Sequence, residues 1–174
     1  IKNNFDFVAL LHGDGQYAPE YLEQLLEPLH QSETDAVFGS RMITKGGALK
    51  GRMPLYKIVG NKVITFFQNF LLKTNFSEFH SGYRVYKVSS LKKIPFHLNS
   101  NDYPFDTEII IQFVNARMKI KEIAIPTFYG KEISYLNGMK YAIQICATTI
   151  KARFQKLGIF YDRKFDCNPN SFDH

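Results

Sequence analysis

Asp14 and Gln16 stand two residues apart in the stretch His12-Gly13-Asp14-Gly15-Gln16, just past the apolar run Phe7-Val8-Ala9-Leu10-Leu11. A carboxylate oxygen and an amide oxygen at that spacing suit a hard divalent cation, and such a cation usually carries substrate phosphates. A strand-to-helix turn that merely uses turn-forming residues would read the same way. Two arginines follow at the ends of short motifs, Arg41 in Gly39-Ser40-Arg41 and Arg84 in Ser81-Gly82-Tyr83-Arg84. A guanidinium fork binds phosphate oxygens bidentately. Arg84 could equally be a surface ion-pair partner. Gly82 permits close backbone approach, and His80, taken alone, reads as structural. Asp106 and Glu108 lie in Phe105-Asp106-Thr107-Glu108, ahead of an apolar helix. In the bland reading Asp106 or Thr107 caps that helix and the acids fill its first turn. In the sharper one Asp106 or Glu108 enters the site, with the helix amino terminus aimed at an anionic substrate.

These residues need elements to hold them. The run Phe7–Leu11 fits a buried strand of a parallel sheet. Pro19 and Glu20 then open a helix running to about Leu29, and residues 34–39 form a second strand, which predicts a βαβ unit. Open α/β sheets bind ligands at the carboxyl ends of their strands, where Asp14 and Gln16 fall. Residues 44–51 read as a polar, glycine-rich loop. Residues 53–72 predict a long helix whose broad apolar stripe includes Val59, Val63, Phe66 and Phe70, with Lys57 and Lys62 beside it. That stripe either covers a sheet or rests on lipid with its lysines at headgroups. Arg84, Tyr86 and Lys87 alternate like a short edge strand. A helix over about 109–116, a strand over 120–126 and a last helix over about 136–157 complete the chain.

With 174 residues, 45% hydrophobic and 22% charged, the chain is globular rather than disordered. Its net charge of +6 suits phosphates without choosing among their sources. Basic residues are scattered and no nucleic-acid motif appears, so nucleic acid is not an expected partner. Cys146 and Cys167 show no metal spacing and suggest a reducing compartment. No apolar run approaches the roughly 20 residues of a membrane span. The first residue is Ile1, directly ahead of a strand, so a piece of a longer protein is expected.

Taken in order, the four motifs built on Asp14, Arg41, Arg84 and Asp106 resemble family 2 glycosyltransferases over residues 5 to about 135, and within them dolichol- and polyprenyl-phosphate sugar transferases. The resemblance implies an α/β fold, the carboxyl-terminal part of a Rossmann-like GT-A sheet with flanking helices over 1–135, followed by an amphipathic helix and tail over 136–174. It implies a divalent metal, Mg²⁺ or Mn²⁺, held by Asp14 and Gln16. His12 stands where the family has a first aspartate; a neutral imidazole is a poor ligand for Mg²⁺ and a fair one for Mn²⁺. Arg41 and Arg84 match arginines near the phosphates of donor and acceptor, with Ser81 and Gly82 beside Arg84. Glu108 matches an acid beside the acceptor, and Lys131 lies in a loop that can close over the donor. Asp106, Glu108 and Arg84 form the implied catalytic set. The implied partners are a nucleotide diphosphate sugar and a lipid-phosphate or glycan acceptor, with peripheral membrane contact and a cytoplasmic location at the inner membrane face. The family's base- and ribose-binding segment has no match here, so poor or no sugar-nucleotide binding, an inactive isolated fragment and a raw sheet edge are expected. Rival classes are a nucleotidyltransferase, which shares a similar α/β core, and a non-catalytic binding or scaffold domain, which His12 motivates.

Overall fold

The computed structural model describes residues 4–30, 33–130 and 137–167. Four strands form one mixed sheet: β1 (Phe7–Leu11), β2 (Ala36–Ser40), β3 (Tyr83–Lys87) and β4 (Ile120–Ala124), in the order β1-β3-β2-β4. β3 runs antiparallel to both β1 and β2, pairing Leu10 with Arg84 and Val37 with Val85, while β2 and β4 are parallel. This architecture agrees with part of a GT-A fold.

Two placements differ from expectation. β1 and β2 do run in the same direction across α1 (Leu22–His30), as a βαβ unit requires, but β3 is inserted between them. β1 is therefore an edge strand with Val8 and Leu11 exposed, not a buried member of a parallel sheet. β3, expected at an edge, is interior, with Tyr83, Arg84, Val85 and Tyr86 all buried. Its aromatic and β-branched side chains can fill both faces of a sheet, and the pairing that puts it there is long-range.

Strand side chains alternate between faces. Val37, Tyr83 and Val85 pack with Leu25 and Leu29 of α1. Ala36, Phe38 and Tyr86 face the other way, against Ile110 and Phe113 of the helix Phe105–Asn115. The segment expected to be a loop over 44–51 contains a short helix, α2 (Gly47–Lys50), with Gly46 in the left-handed region at its start. It is followed by α3 (Leu55–Leu72), the short α4 (Val88–Leu91), α5 (Phe105–Asn115) and α6 (Gly138–Lys156). α5 starts earlier than its apolar stretch suggests: Pro104 occupies the cap position without a side-chain cap, and Asp106 and Glu108 lie in the first turn. α6 packs on α3 and α5. No helix among the described residues is long and apolar enough to cross a membrane.

Candidate functional site

The carboxyl end of β1 is fixed from two sides. The His12 amide donates to the Gly82 carbonyl at 3.0 Å, and Gln16 O accepts from the Phe128 amide and from Thr127 Oγ1, each at 3.1 Å. Between these anchors Asp14 Oδ1 accepts from the Gln16 amide at 3.1 Å, and Gly15 takes φ 72°. The side-chain-to-backbone bond and the left-handed glycine close a tight turn. Gly82 lies against the His12 ring so closely that a Cβ there would overlap the imidazole.

A cavity of about 1020 Å³ opens at this turn, lined by His12, Asp14, Gln16, Arg41, Asp106 and further residues of α3, α5 and α6. The expected metal residues His12, Asp14 and Gln16, the expected phosphate residue Arg41 and the expected catalytic residue Asp106 thus share one cavity. Arg84 is not among its lining residues; it is almost fully buried, with Nη1 3.2 Å from Oδ1 of the lining residue Asp106. Arg84 Nη2 also donates to the Phe79 carbonyl at 2.8 Å, and its guanidinium sits 5.2 Å from the Phe38 ring centre. It is therefore an internal ion-pair partner. Ser81 is buried, with its Oγ accepting from the Tyr83 amide. Glu108 turns away from the cavity and accepts from the Ser100 amide at 2.7 Å and from Lys164 Nζ at 2.9 Å. Lys131 lies outside the described residues.

Arg41 is held by a partner that the motifs do not announce. Glu78 accepts from the Arg41 amide at 2.8 Å, from Nε at 2.9 Å and from Nη2. Tyr129 Oη accepts from Nη1 at 2.8 Å, the His80 carbonyl accepts from Nη2 at 3.1 Å, and Asn61 Nδ2 donates to Glu78 at 2.6 Å. Burial alone raises a carboxyl's pKa, but the Arg41 charge and these hydrogen bonds outweigh it and hold Glu78 below its ordinary range. Burial depresses the His80 imidazole to about 4, Arg84 and Arg41 reinforcing and Glu78 opposing. His80 is neutral at physiological pH, with Nδ1 2.7 Å from Tyr141 Oη. Nothing in the spacing around Glu78 marks it as a site residue; its role comes from where the chain brings β2 and α3.

One carboxylate and one amide oxygen on a single turn fit a cation that takes its remaining ligands from substrate phosphates and water. They do not form a cage: among the described residues no three His, Cys, Asp or Glu side chains gather into a metal cluster. His12 Nε2 instead lies 3.8 Å from Asp106 Oδ2.

Acidic and basic side chains of a mixed α/β sheet and its helices thus converge on one cavity at the carboxyl end of β1. Residues 4–95, more than half the chain, match the model of glycosyl transferase family 2, and the chain belongs to that family. Among curated relatives, uncharacterized protein MJ1222 of Methanocaldococcus jannaschii is 34% identical over 70% of this chain and 49% of its own length. The UDP-N-acetylglucosamine–dolichyl-phosphate N-acetylglucosaminyltransferase of Methanococcus voltae is 29% identical over 71% of this chain and 49% of its own. The polyprenol monophosphomannose synthase of Mycolicibacterium smegmatis is 27% identical over 76% and 49%. The chain spans about half the length of these relatives.

Proposed function

We propose that this chain carries the metal- and acceptor-side portion of a glycosyltransferase that moves a sugar from a nucleotide diphosphate sugar to an isoprenoid phosphate. The observation that carries this reading is the shared cavity, in which Asp14 and Gln16 face the same space as Arg41 and Asp106. In the reaction an acceptor oxygen attacks the anomeric carbon, and the bond from that carbon to the donor diphosphate breaks. The nucleoside diphosphate leaves with the electron pair, and a single displacement inverts the centre. A divalent cation bound by Asp14 and Gln16 would neutralise charge on the diphosphate. Arg41 lines the cavity wall, but the buried Glu78 carboxylate balances its charge, so the pair orders that wall rather than acting as a free phosphate clamp.

Asp106 favours the phosphate acceptor over a sugar hydroxyl. A hydroxyl must lose a proton to a base, and the Asp106 carboxylate is already committed to the buried Arg84 charge. An isoprenoid phosphate is an oxyanion at neutral pH and needs no base. Names of the Methanococcus voltae and Mycolicibacterium smegmatis relatives support the same acceptor class.

Transfer of labelled sugar from UDP-N-acetylglucosamine and from GDP-mannose to polyprenyl phosphate by the full-length protein tests the reading. Activity is expected to vanish with chelation, to return with Mn²⁺ or Mg²⁺, and to fall about 100-fold or more in Asp14→Asn. Transfer that is indifferent to both chelation and Asp14→Asn removes the metal and with it the proposed role of the turn.

A further inference from the structure

A second concavity, of about 680 Å³, lies at the opposite end of the sheet from the cavity. Its walls are the residues before β2, the start of β4, the turn after α3 and the end of α5. β2 and β4 run parallel, and Arg41 follows the far end of β2. The length of a five-residue strand, roughly 16 Å, therefore separates this groove from the cavity. The groove is preformed. Asn69 Oδ1 accepts from Thr74 Oγ1 at 2.8 Å and from the Phe76 amide at 2.9 Å, and its Nδ2 donates to Phe76 O at 2.7 Å. On the facing wall Asp35 Oδ2 accepts from the Lys119 amide at 2.8 Å.

Three features fit one kind of occupant. The floor is apolar: Phe76, Val114, Met118 and Ile120 pack on the core but are only partly buried. The rim is basic: Arg117, Lys119 and Lys121 line the groove and are exposed, and the acid among the lining residues is Glu33. Arg117 and Lys121 make no ion pair among the described residues, and the Lys119–Glu33 pair is exposed on both sides and contributes little. Arg117 holds φ 56°, a left-handed position after α5 that glycine would fill at less cost, so a charged side chain is kept there against the backbone's preference. Beside the groove runs an open strand edge. β4 has β2 on one side and no strand on the other among the described residues. Lys119 O accepts from the Ala36 amide, and the Ile125 amide donates to Ser40 O. The main-chain groups of the odd-numbered residues here thus turn to β2, and those of Ile120, Glu122 and Ala124 turn outward.

Lysines on a sheet edge keep other strands from pairing there. They act through charge, so they turn away a basic or apolar strand and admit an acidic one. We infer that the β4 edge and its groove take an extended acidic segment of a partner polypeptide, added to the sheet beside β4. Its main chain pairs with Ile120, Glu122 and Ala124, its apolar side chains cover Phe76 and Met118, and its carboxylates meet Arg117, Lys119 and Lys121. A small anion would use the rim alone and leave the floor and the strand edge uncovered. A second copy of this chain, itself of net charge +6, is the wrong partner in charge.

Panning random peptides displayed on phage against the full-length protein tests this, with the Arg117→Glu, Lys121→Glu double variant as counter-target. Neither position lines the cavity, and the measurement needs no transfer reaction. Clones that bind the parent and not the variant are expected to alternate acidic with apolar residues. A synthetic peptide of the selected sequence should bind the parent, lose roughly tenfold or more in affinity for the double variant, and bind more weakly as salt is added. It should also slow hydrogen exchange at the amides of Ile120, Glu122 and Ala124, which a peptide held by charge alone would leave unchanged. The double variant should keep the parent's circular dichroism spectrum; where it does not, the exchange result on the parent decides. The inference is overturned if no selected peptide discriminates the two proteins, if the discriminating peptides lack the acidic and apolar alternation, or if binding leaves those three amides unchanged. It is overturned equally if the three amides exchange slowly without peptide, in which case a second copy or another part of the polypeptide covers the edge.

Discussion

Glu78 is the residue whose loss should be felt most widely. It neutralises Arg41 and accepts from Asn61, so the end of β2, the approach to β3 and helix α3 meet on one carboxylate. Removing one partner of a buried ion pair leaves the other charge uncompensated, which costs about 3–5 kcal/mol. Glu78→Ala is expected to lose that much in urea unfolding, and the Arg41→Met, Glu78→Met pair to lose less than the single change. Glu108 makes a contrasting case. Its matched position in the family suggests chemistry, but here it ties the segment at Ser100 and the carboxyl-terminal turn at Lys164 to α5. Glu108→Gln is expected to cost about 1–3 kcal/mol in stability through weakened charge-assisted hydrogen bonds. It should leave transfer to an isoprenoid phosphate nearly unchanged. A hydroxyl acceptor that depended on Glu108 as base would instead show a large loss in turnover. His80 sets a pH dependence. Its folded value of about 4 lies below the ordinary 6.5, so the unfolded chain takes a proton that the folded chain refuses between those limits. Its contribution is full above pH 6.5 and drains as pH falls towards 4, by on the order of 3 kcal/mol in all. Thermal melts across that window should show the slope, and His80→Gln should flatten it. The depressed Glu78 carboxyl adds a second loss that begins near its ordinary 4.5 and deepens as pH falls through its folded value.

At the scale of elements, the sequence makes local periodicity plain and long-range pairing opaque. The strand over Phe7–Leu11 and the helices at α1, α5 and α6 follow from runs of residue type that act within a few positions. β3 was recognisable as a strand but not as the one that separates β1 from β2, because that depends on partners some 40 to 80 residues away in the chain. The site divides the same way. The turn at Asp14 and Gln16 is local and legible; Glu78, which fixes Arg41, belongs to no motif. On α3 the apolar stripe is clear in the sequence, but periodicity cannot say which way it faces, and the structure leaves Val59, Val63, Phe66 and Phe70 exposed. One contact between elements is sharp enough to test. Gly51 ends the α2 turn against Thr127, and a Cβ at Gly51 would overlap the Thr127 backbone carbonyl. The Tyr129 amide donates to Gly51 O at 2.8 Å, so the two strands of chain cannot simply separate. Gly51→Ala is expected to destabilise by about 1–3 kcal/mol, the usual range for overpacking. It should also loosen Tyr129 from Arg41, visible as lost protection of the Tyr129 amide in hydrogen exchange. Gly60, with open space around its Cβ position, is the control: Gly60→Ala sits mid-helix in α3 and should stabilise by up to about 1 kcal/mol.

For the whole molecule, the placement of β1 matters more than its composition. In the order β1-β3-β2-β4 it has a strand on one side only among the described residues, and Val8 and Leu11 are 44% and 38% exposed beside Phe5 at 66%. An apolar edge strand is a template on which another chain can pair, and proteins blunt such edges with charge. Its neighbourhood is poorly blunted: the five residues of β1 carry no charged side chain. The net charge of +6 opposes association only at long range and is screened by salt over roughly 10 Å at 0.1 M. Self-association of the chain should therefore grow with ionic strength. Val8→Lys places a charge on the exposed edge without touching the cavity residues. It is expected to lower the light-scattering mass at high salt towards that of the 20.1 kDa monomer. If instead Val8→Lys leaves association unchanged and Phe66→Ser with Phe70→Ser abolishes it, the exposed apolar face of α3 rather than the strand edge joins the copies.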